Sequence, residues 1–280
     1  MREPAVSGMF YPSGQNKLRS ELDQCFSKVD PQLLPAGSPR ISGLVSPHAG
    51  YTYSGWIAAH GFAAMRNGGL PKTAVVIGPN HSGLGDRISV SFEDWRTPIG
   101  VMKCDKAFAR SLGLPNDEFA HLQEHSMEVQ LPFLQSMDPK MEQVCVAMMD
   151  QRLDTAISLG ERVAMAVKAS RHDCAIVASS DFTHAGYNYG KPVPRGMNAG
   201  EFARSIDLPV IAELEKGDIG AAFDKRDELD VTACGLGPVA AMMTACSILG
   251  AKKVKAIRYA TSYDISPSAS AVGYASLAVY

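Results

Sequence analysis

What this 280-residue sequence lacks narrows its function before anything it contains. No apolar run approaches the roughly 18–20 residues that span a bilayer, and the opening MREPAVSGMFYP has no signal-peptide core. Twenty-seven basic residues face twenty-nine acidic ones, a net charge of −2, with no basic block or arginine-rich stripe. That balance excludes a nucleic-acid binder held mainly by phosphate contacts. The six cysteines (25, 104, 145, 174, 234 and 246) form no CxxC and no paired zinc-ribbon spacing. A chain of this length folds without disulfides, so reduced thiols and a cytoplasmic location are expected. HExxH, GxSxG, P-loop and GxGxxG patterns are all missing, which removes the chemistries they carry.

What is present describes an ordinary globular chain: 46% hydrophobic and 20% charged residues, enough for a large core. Helical patterning runs over 15–28, ahead of a Pro/Gly-rich link from Leu34 to Pro39. Ile41–Ser46 reads as a strand and Ser54–Met65 as a helix. Thr73–Gly78 (TAVVIG) and Asp173–Ser179 (DCAIVAS) are continuous apolar runs of the kind buried on both faces of a sheet. Arg87–Phe92 alternates and reads as a strand with one wet face; Glu142–Met148 is a further strand. Helices are expected at 106–112, at 118–137 with a break at Pro132, and from an Asp154 N-cap to Ser170. After a polar loop at 186–196, helices at 199–216 and 238–249 precede strands at 254–262 and 271–280. Strands alternating with helices predict a single three-layer α/β/α domain, residues 1–280, around a mixed, mainly parallel sheet.

The seven histidines divide by position. His48 follows the first strand, His81 follows TAVVIG, and Asp181 and His184 follow DCAIVAS. Ligands of open α/β sheets bind in the crevice outside the carboxyl ends of the strands, so three such ends would deliver these residues to one cleft. Gly50, Gly78 and Gly83 beside them would let backbone approach a bound group. His125 precedes a predicted helix; it either caps that helix or joins the cleft, and spacing leaves both open. Glu128, one turn on, would hydrogen-bond His125 or reach the same cavity. His60, His121 and His172 read as structural or exposed, and Cys145 and Cys174 as small buried hydrophobes.

Cys234, in TACGLGP, differs from the other cysteines because it lies between small residues ahead of a helix. It is either a buried thiol at a helix cap or a thiolate favoured by the helix N-terminus. Imidazoles and a thiolate are good ligands for borderline-soft ions such as iron, copper or zinc. Two histidines plus one anionic ligand leave positions open for substrate, and an unligated histidine there serves as acid or base.

The motifs SPHAGYTYSG (46–55), GPNHSG (78–83), EHSMEVQLPFL (124–134), SSDFTH (179–184) and CG at 234–235, with REPAVSGMFYP and WRTPIG (95–100), resemble the Memo family. Its members are also called AmmeMemoRadiSam system protein B. The resemblance covers the whole chain and implies the fold of class III extradiol ring-cleaving dioxygenases. It implies that His48, His81 and Cys234 hold iron or copper, with zinc as the alternative. It also implies that His184 is the catalytic histidine, with Asp181 and His125 lining the pocket. Cys234 stands where a dioxygenase has glutamate, and thiolate is softer and more easily oxidised, so ring cleavage does not follow. The family name implies AMMECR1-domain and radical SAM partner proteins. A phosphotyrosine-peptide role goes with animal members, and nothing in this sequence argues for it independently.

Three functions follow from these residues. The first is a metal-dependent redox enzyme. The second is a binding module taking a peptide or small ligand in the same cleft. The third is metal-assisted hydrolysis, or Cys234 acting as nucleophile.

Overall fold

The computed structural model describes residues 1–280. The chain runs α1 (Gln15–Ser27), β1 (Gly43–Ser46), α2 (Tyr51–Gly68), β2 (Thr73–Pro79), β3 (Ile88–Val90), a hairpin of β4 (Trp95–Thr97) and β5 (Gly100–Met102), then α3 (Lys106–Ser111) and α4 (Leu131–Met137). It continues with β6 (Glu142–Met148), α5 (Leu153–Ser170), β7 (Cys174–Ser179), β8 (His184–Ala185), α6 (Ala199–Glu215), α7 (Ile219–Glu228), α8 (Leu236–Leu249), β9 (Val254–Thr261) and β10 (Ala271–Val279). The main sheet has eight strands in the order β3-β6-β2-β7-β1-β10-β8, with β9 also on β10. Its centre, β6-β2-β7-β1, is parallel; β3, β8, β9 and β10 pair antiparallel.

Alternate side chains of each central strand enter different cores, as the pleat demands. Val75 and Ile77 of β2 pack with α3, α5 and α8, whereas Ala74 and Val76 pack with α1, α2 and α4. The two cores hold 37 and 30 buried residues, so neither face is the wet one. This explains why TAVVIG is apolar at successive positions, and it makes the domain three layers, α/β/α. No helix is long and apolar enough to cross a membrane.

Local differences from the sequence expectation have physical causes. Helix at 118–137 is confined to Leu131–Met137, preceded by 3-10 turns at Glu118–Ala120 and Glu128–Gln130. Pro132 opens that helix instead of breaking it, because its missing N–H costs nothing in a first turn. Helix α5 begins at Leu153 after Arg152, so Asp154 lies in the first turn and does not cap it. Helix α2 starts at Tyr51, three residues early, on Gly50 as N-cap. Helix α7 lies between the helices expected at 199–216 and 238–249, taking in most of the polar run DKRDELD (224–230); its N-cap Asp218 accepts from Ala221 N–H. Cys145 is fully buried, but Cys174 is the first residue of the central strand β7, at its amino end, and is partly exposed.

Candidate metal centre

Strands β2, β7 and β1 lie side by side in level register, with Ile77 and Val45 both opposite Ala178. Their carboxyl ends therefore open on one edge. His48, His81 and Asp181 each stand two residues beyond the last strand residue, Ser46, Pro79 and Ser179. The short strand β8 adds His184, opposite Val272 of β10. His125 comes from the irregular segment 124–130, which packs across the same edge.

The cleft thus formed has a volume of about 540 Å³; His48, His81, His125, Asp181 and His184 line it. Phe10, Tyr53, Tyr189 and Tyr274 supply aromatic wall, and no lysine or arginine lines it. His48, His81 and His125 each offer a ligand atom within 4.8 Å of the others'. The His81 and His125 rings stack with centroids 4.6 Å apart, and His48 lies edge-on, 5.2 and 5.5 Å away. Cys234 Sγ sits 3.1 Å from His48 Nε2, beneath the cleft wall. His184 stands to one side, its backbone N–H on Thr232 Oγ1 at 2.8 Å and its ring edge-on to Tyr189.

Each histidine is held from behind. His48 Nδ1 lies 2.9 Å from Ser179 Oγ, and His81 Nδ1 lies 3.0 Å from Glu124 Oε1. His125 Nδ1 is 3.5 Å from the same carboxylate, and Phe10 meets its ring edge-on. Ser126 N–H also donates to Glu124, at 2.8 Å. Asp181 accepts from the backbone N–H groups of His48, at 2.8 Å, and Ala49.

These surroundings set the charges. Burial lowers the pKa of His48 well below the ordinary histidine value, helped by repulsion from His125, His81 and His184. Burial also lowers that of His125. Both are neutral at neutral pH, with lone pairs available. Burial works to raise the Glu124 carboxyl, but hydrogen bonds from His81 and Ser126 and the imidazoles' charge hold it down at about 2. Burial raises Asp181 to about 6 against the bonds from His48 and Ala49. Burial and the Asp181 charge push the Cys234 thiol well above its usual value. Of the two readings the sequence left open for Cys234, the surroundings favour the buried thiol over the thiolate: α8 starts at Leu236 with Gly235 as its N-cap, so Cys234 lies just outside the helix.

Other expectations shift. Glu128 is fully buried but neither bonds His125 nor lines the cleft; its carboxylate takes Arg2, Tyr11 and the backbone N–H groups of Ala5 and Val6. Gly78 makes room for the protein itself and not for a ligand: a Cβ there would lie 2.4 Å from Ser126 Oγ. Gly235 is needed because a Cβ would meet Ser179 O at 2.3 Å. His60, His121 and His172 are structural, bonding Trp56 O, Ser89 and Asp105 respectively. Sequence reasoning missed Glu124, Ser126, Gln130 and Ser179. The available signal was density of polar residues: EHSMEVQ places glutamate, serine and glutamine where a helix covering the core would carry apolar side chains.

Comparison with known proteins agrees with this architecture. The Memo-like protein family matches residues 2–278. A MEMO1 family protein of Methanococcoides burtonii is 39% identical over the full length of both chains. One from Methanosarcina acetivorans is 40% identical, covering 100% of this chain and 99% of its own. One from Methanothermobacter thermautotrophicus is 39% identical over 99% of each. The crystal structure of an uncharacterized protein from Escherichia coli K12 superposes with a TM-score of 0.56 at 14% identity, covering 86% of this chain and all of that one, a likeness of fold alone. With its motifs set around one sheet edge and relatives matched end to end, this chain belongs to the Memo family.

Proposed function

We propose that the cleft is a metal-dependent redox site acting on a small polar or aromatic ligand. One observation carries it: three separate segments bring His48, His81 and His125 within 4.8 Å of one another. The donor set fits a metal. The imidazoles of His48 and His125 are neutral, and Ser179 and Glu124 occupy Nδ1 of His48 and His81, leaving Nε2 for an ion. A carboxylate or hydroxyl behind each ligating histidine is the usual outer shell of a metal site.

His48, His81 and His125 would hold iron or copper, with zinc as the alternative, and Cys234 stands against His48 ready to join them. When bound, such an ion supplies Lewis acidity and, for iron or copper, electron transfer. Asp181, near its working range at about 6, takes or gives a proton at its carboxylate, and His184 lines the same cleft as a second acid or base. Phe10, Tyr53 and Tyr274 exclude water from the ligand. With no lysine or arginine in the wall, an anionic ligand would be neutralised only by the ion or a charged imidazole, so a neutral hydroxylated or aromatic ligand fits best.

Free cysteines throughout support a reducing, cytoplasmic setting. The AMMECR1-domain and radical SAM partners rest on family resemblance, and co-purification would test them.

Anaerobic purification followed by mass-spectrometric measurement of iron, copper and zinc tests the centre. Wild type should carry close to one ion per chain and His81→Ala several-fold less. Equal, negligible metal in both would sink the proposal. Binding of a small aromatic ligand that survives metal removal, without oxygen consumption, would favour a binding module instead.

A further inference from the structure

We infer that Ser179 and Gln130 are positioning residues that lock His48 in its Nδ1–H tautomer, keeping Nε2 bare for a ligand. The inference deepens the metal-centre reading, on which only the purpose of the bare nitrogen rests.

The locking follows from counting hydrogens around one buried hydroxyl. Ser179 and Gln130 are both fully buried, so their groups have only protein partners. Ser179 Oγ has three neighbours at hydrogen-bond distance: Ser126 O at 2.6 Å, Gln130 Nε2 at 2.8 Å and His48 Nδ1 at 2.9 Å. A hydroxyl offers one hydrogen and two lone pairs. A backbone carbonyl only accepts, so the single hydrogen of Ser179 goes to Ser126 O. Both lone pairs are then acceptors, one for Gln130 and one for His48.

The orientation of Gln130 is fixed in the same way. Its Nε2 lies 3.0 Å from Pro47 O, another group that only accepts. Turning the amide over would set oxygen against oxygen there, so the NH₂ group faces Pro47 and Ser179 with one hydrogen for each. Gln130 Oε1 is left buried with no partner at all. Native structures rarely tolerate such an atom; here it is the consequence of keeping both donors of the amide.

With Ser179 saturated, His48 Nδ1 has to donate. A neutral imidazole carries one N–H, so Nε2 holds a lone pair, and that is the nitrogen beside Cys234 Sγ. Two backbone carbonyls, of Pro47 and Ser126, thus dictate which nitrogen of a side chain can bind a ligand.

The test is made first on metal-free wild-type protein labelled with ¹⁵N-histidine. Two-bond ¹⁵N–¹H spectra distinguish the ring nitrogen that bears hydrogen, and His48→Gln identifies the His48 signals by their loss. Nδ1–H with an unprotonated Nε2 is expected; an Nε2–H form for His48 overturns the inference. Ser179→Ala should then populate the Nε2–H form and weaken Zn²⁺ binding about 10–100-fold in competition with a chromophoric chelator. Gln130→Met, which keeps the serine, should weaken it less, and Ser179→Thr should restore the wild-type tautomer. Unchanged tautomer and affinity in folded Ser179→Ala overturns the positioning role. A wild type with the Nδ1–H tautomer and no affinity for any metal supports the locking and removes the metal reading, so the two fail separately.

Discussion

Glu124 and Glu128 sit four residues apart on one short segment, and both are fully buried. Their work is opposite. Glu124 backs the cleft histidines, taking His81 and its backbone N–H, Ser126 N–H and the edge of His125. Glu128 faces away and gathers the N-terminal segment: the Arg2 guanidinium, the Tyr11 hydroxyl and two backbone N–H groups. The first carboxylate orients groups that can bind a ligand; the second ties residues 2–11 onto the domain. Residue type and burial are the same, and only the partners differ. A buried charge is informative through what it touches.

The largest effect should come from the latch. Glu128→Ala leaves Arg2, itself buried, with an unpaired charge, which should cost about 3–5 kcal/mol in urea unfolding. Metal bound per folded chain should stay at the wild-type level; loss of metal in a fully folded Glu128→Ala would erase the distinction between the two carboxylates.

Glu124→Gln should behave in the reverse sense. Metal affinity should fall about 10–100-fold by chelator competition, with less than half the stability loss of Glu128→Ala. If it unfolds the protein as severely, Glu124 is a latch as well.

Asp207 sharpens the contrast because it is buried with neutral donors alone at hydrogen-bond distance: Thr183 N–H and the Tyr259 hydroxyl. Burial raises its carboxyl from 3.8 to about 7. The folded state therefore holds the proton more tightly than the unfolded chain. Its stabilising contribution is complete below about pH 4, falls by up to ~1.4 kcal/mol per pH as pH rises to about 7, and is flat above. Asp207→Asn should flatten that slope in urea titrations at pH 5, 6 and 8. Parallel slopes for the two proteins would show that Asp207 is ionised in the fold throughout.

Parts of the site were legible because strands advertise themselves locally. His48, His81 and Asp181 follow apolar runs by two or three residues, and the crevice rule then groups them. Glu124, Ser179 and Gln130 were not legible, because nothing local marks a polar side chain as buried. Glu124 meets His81 across 43 residues, and Gln130 meets Ser179 across 49. Glu128 was misplaced for the same reason: one helical turn from His125 suggests contact, but the segment there is a 3-10 turn and Arg2 competes for the carboxylate.

By itself the sequence determined the layered α/β class and the arrival of histidines at strand ends, since both depend on periodicity over a few residues. Tertiary structure alone decided the rest. It set β2, β7 and β1 side by side and turned Glu124 toward the histidines and Glu128 toward the N-terminal segment. It also brought Cys234 to His48 across 186 residues. Those choices follow from strand order and from which buried polar groups find partners, and neither is written in any local stretch of chain.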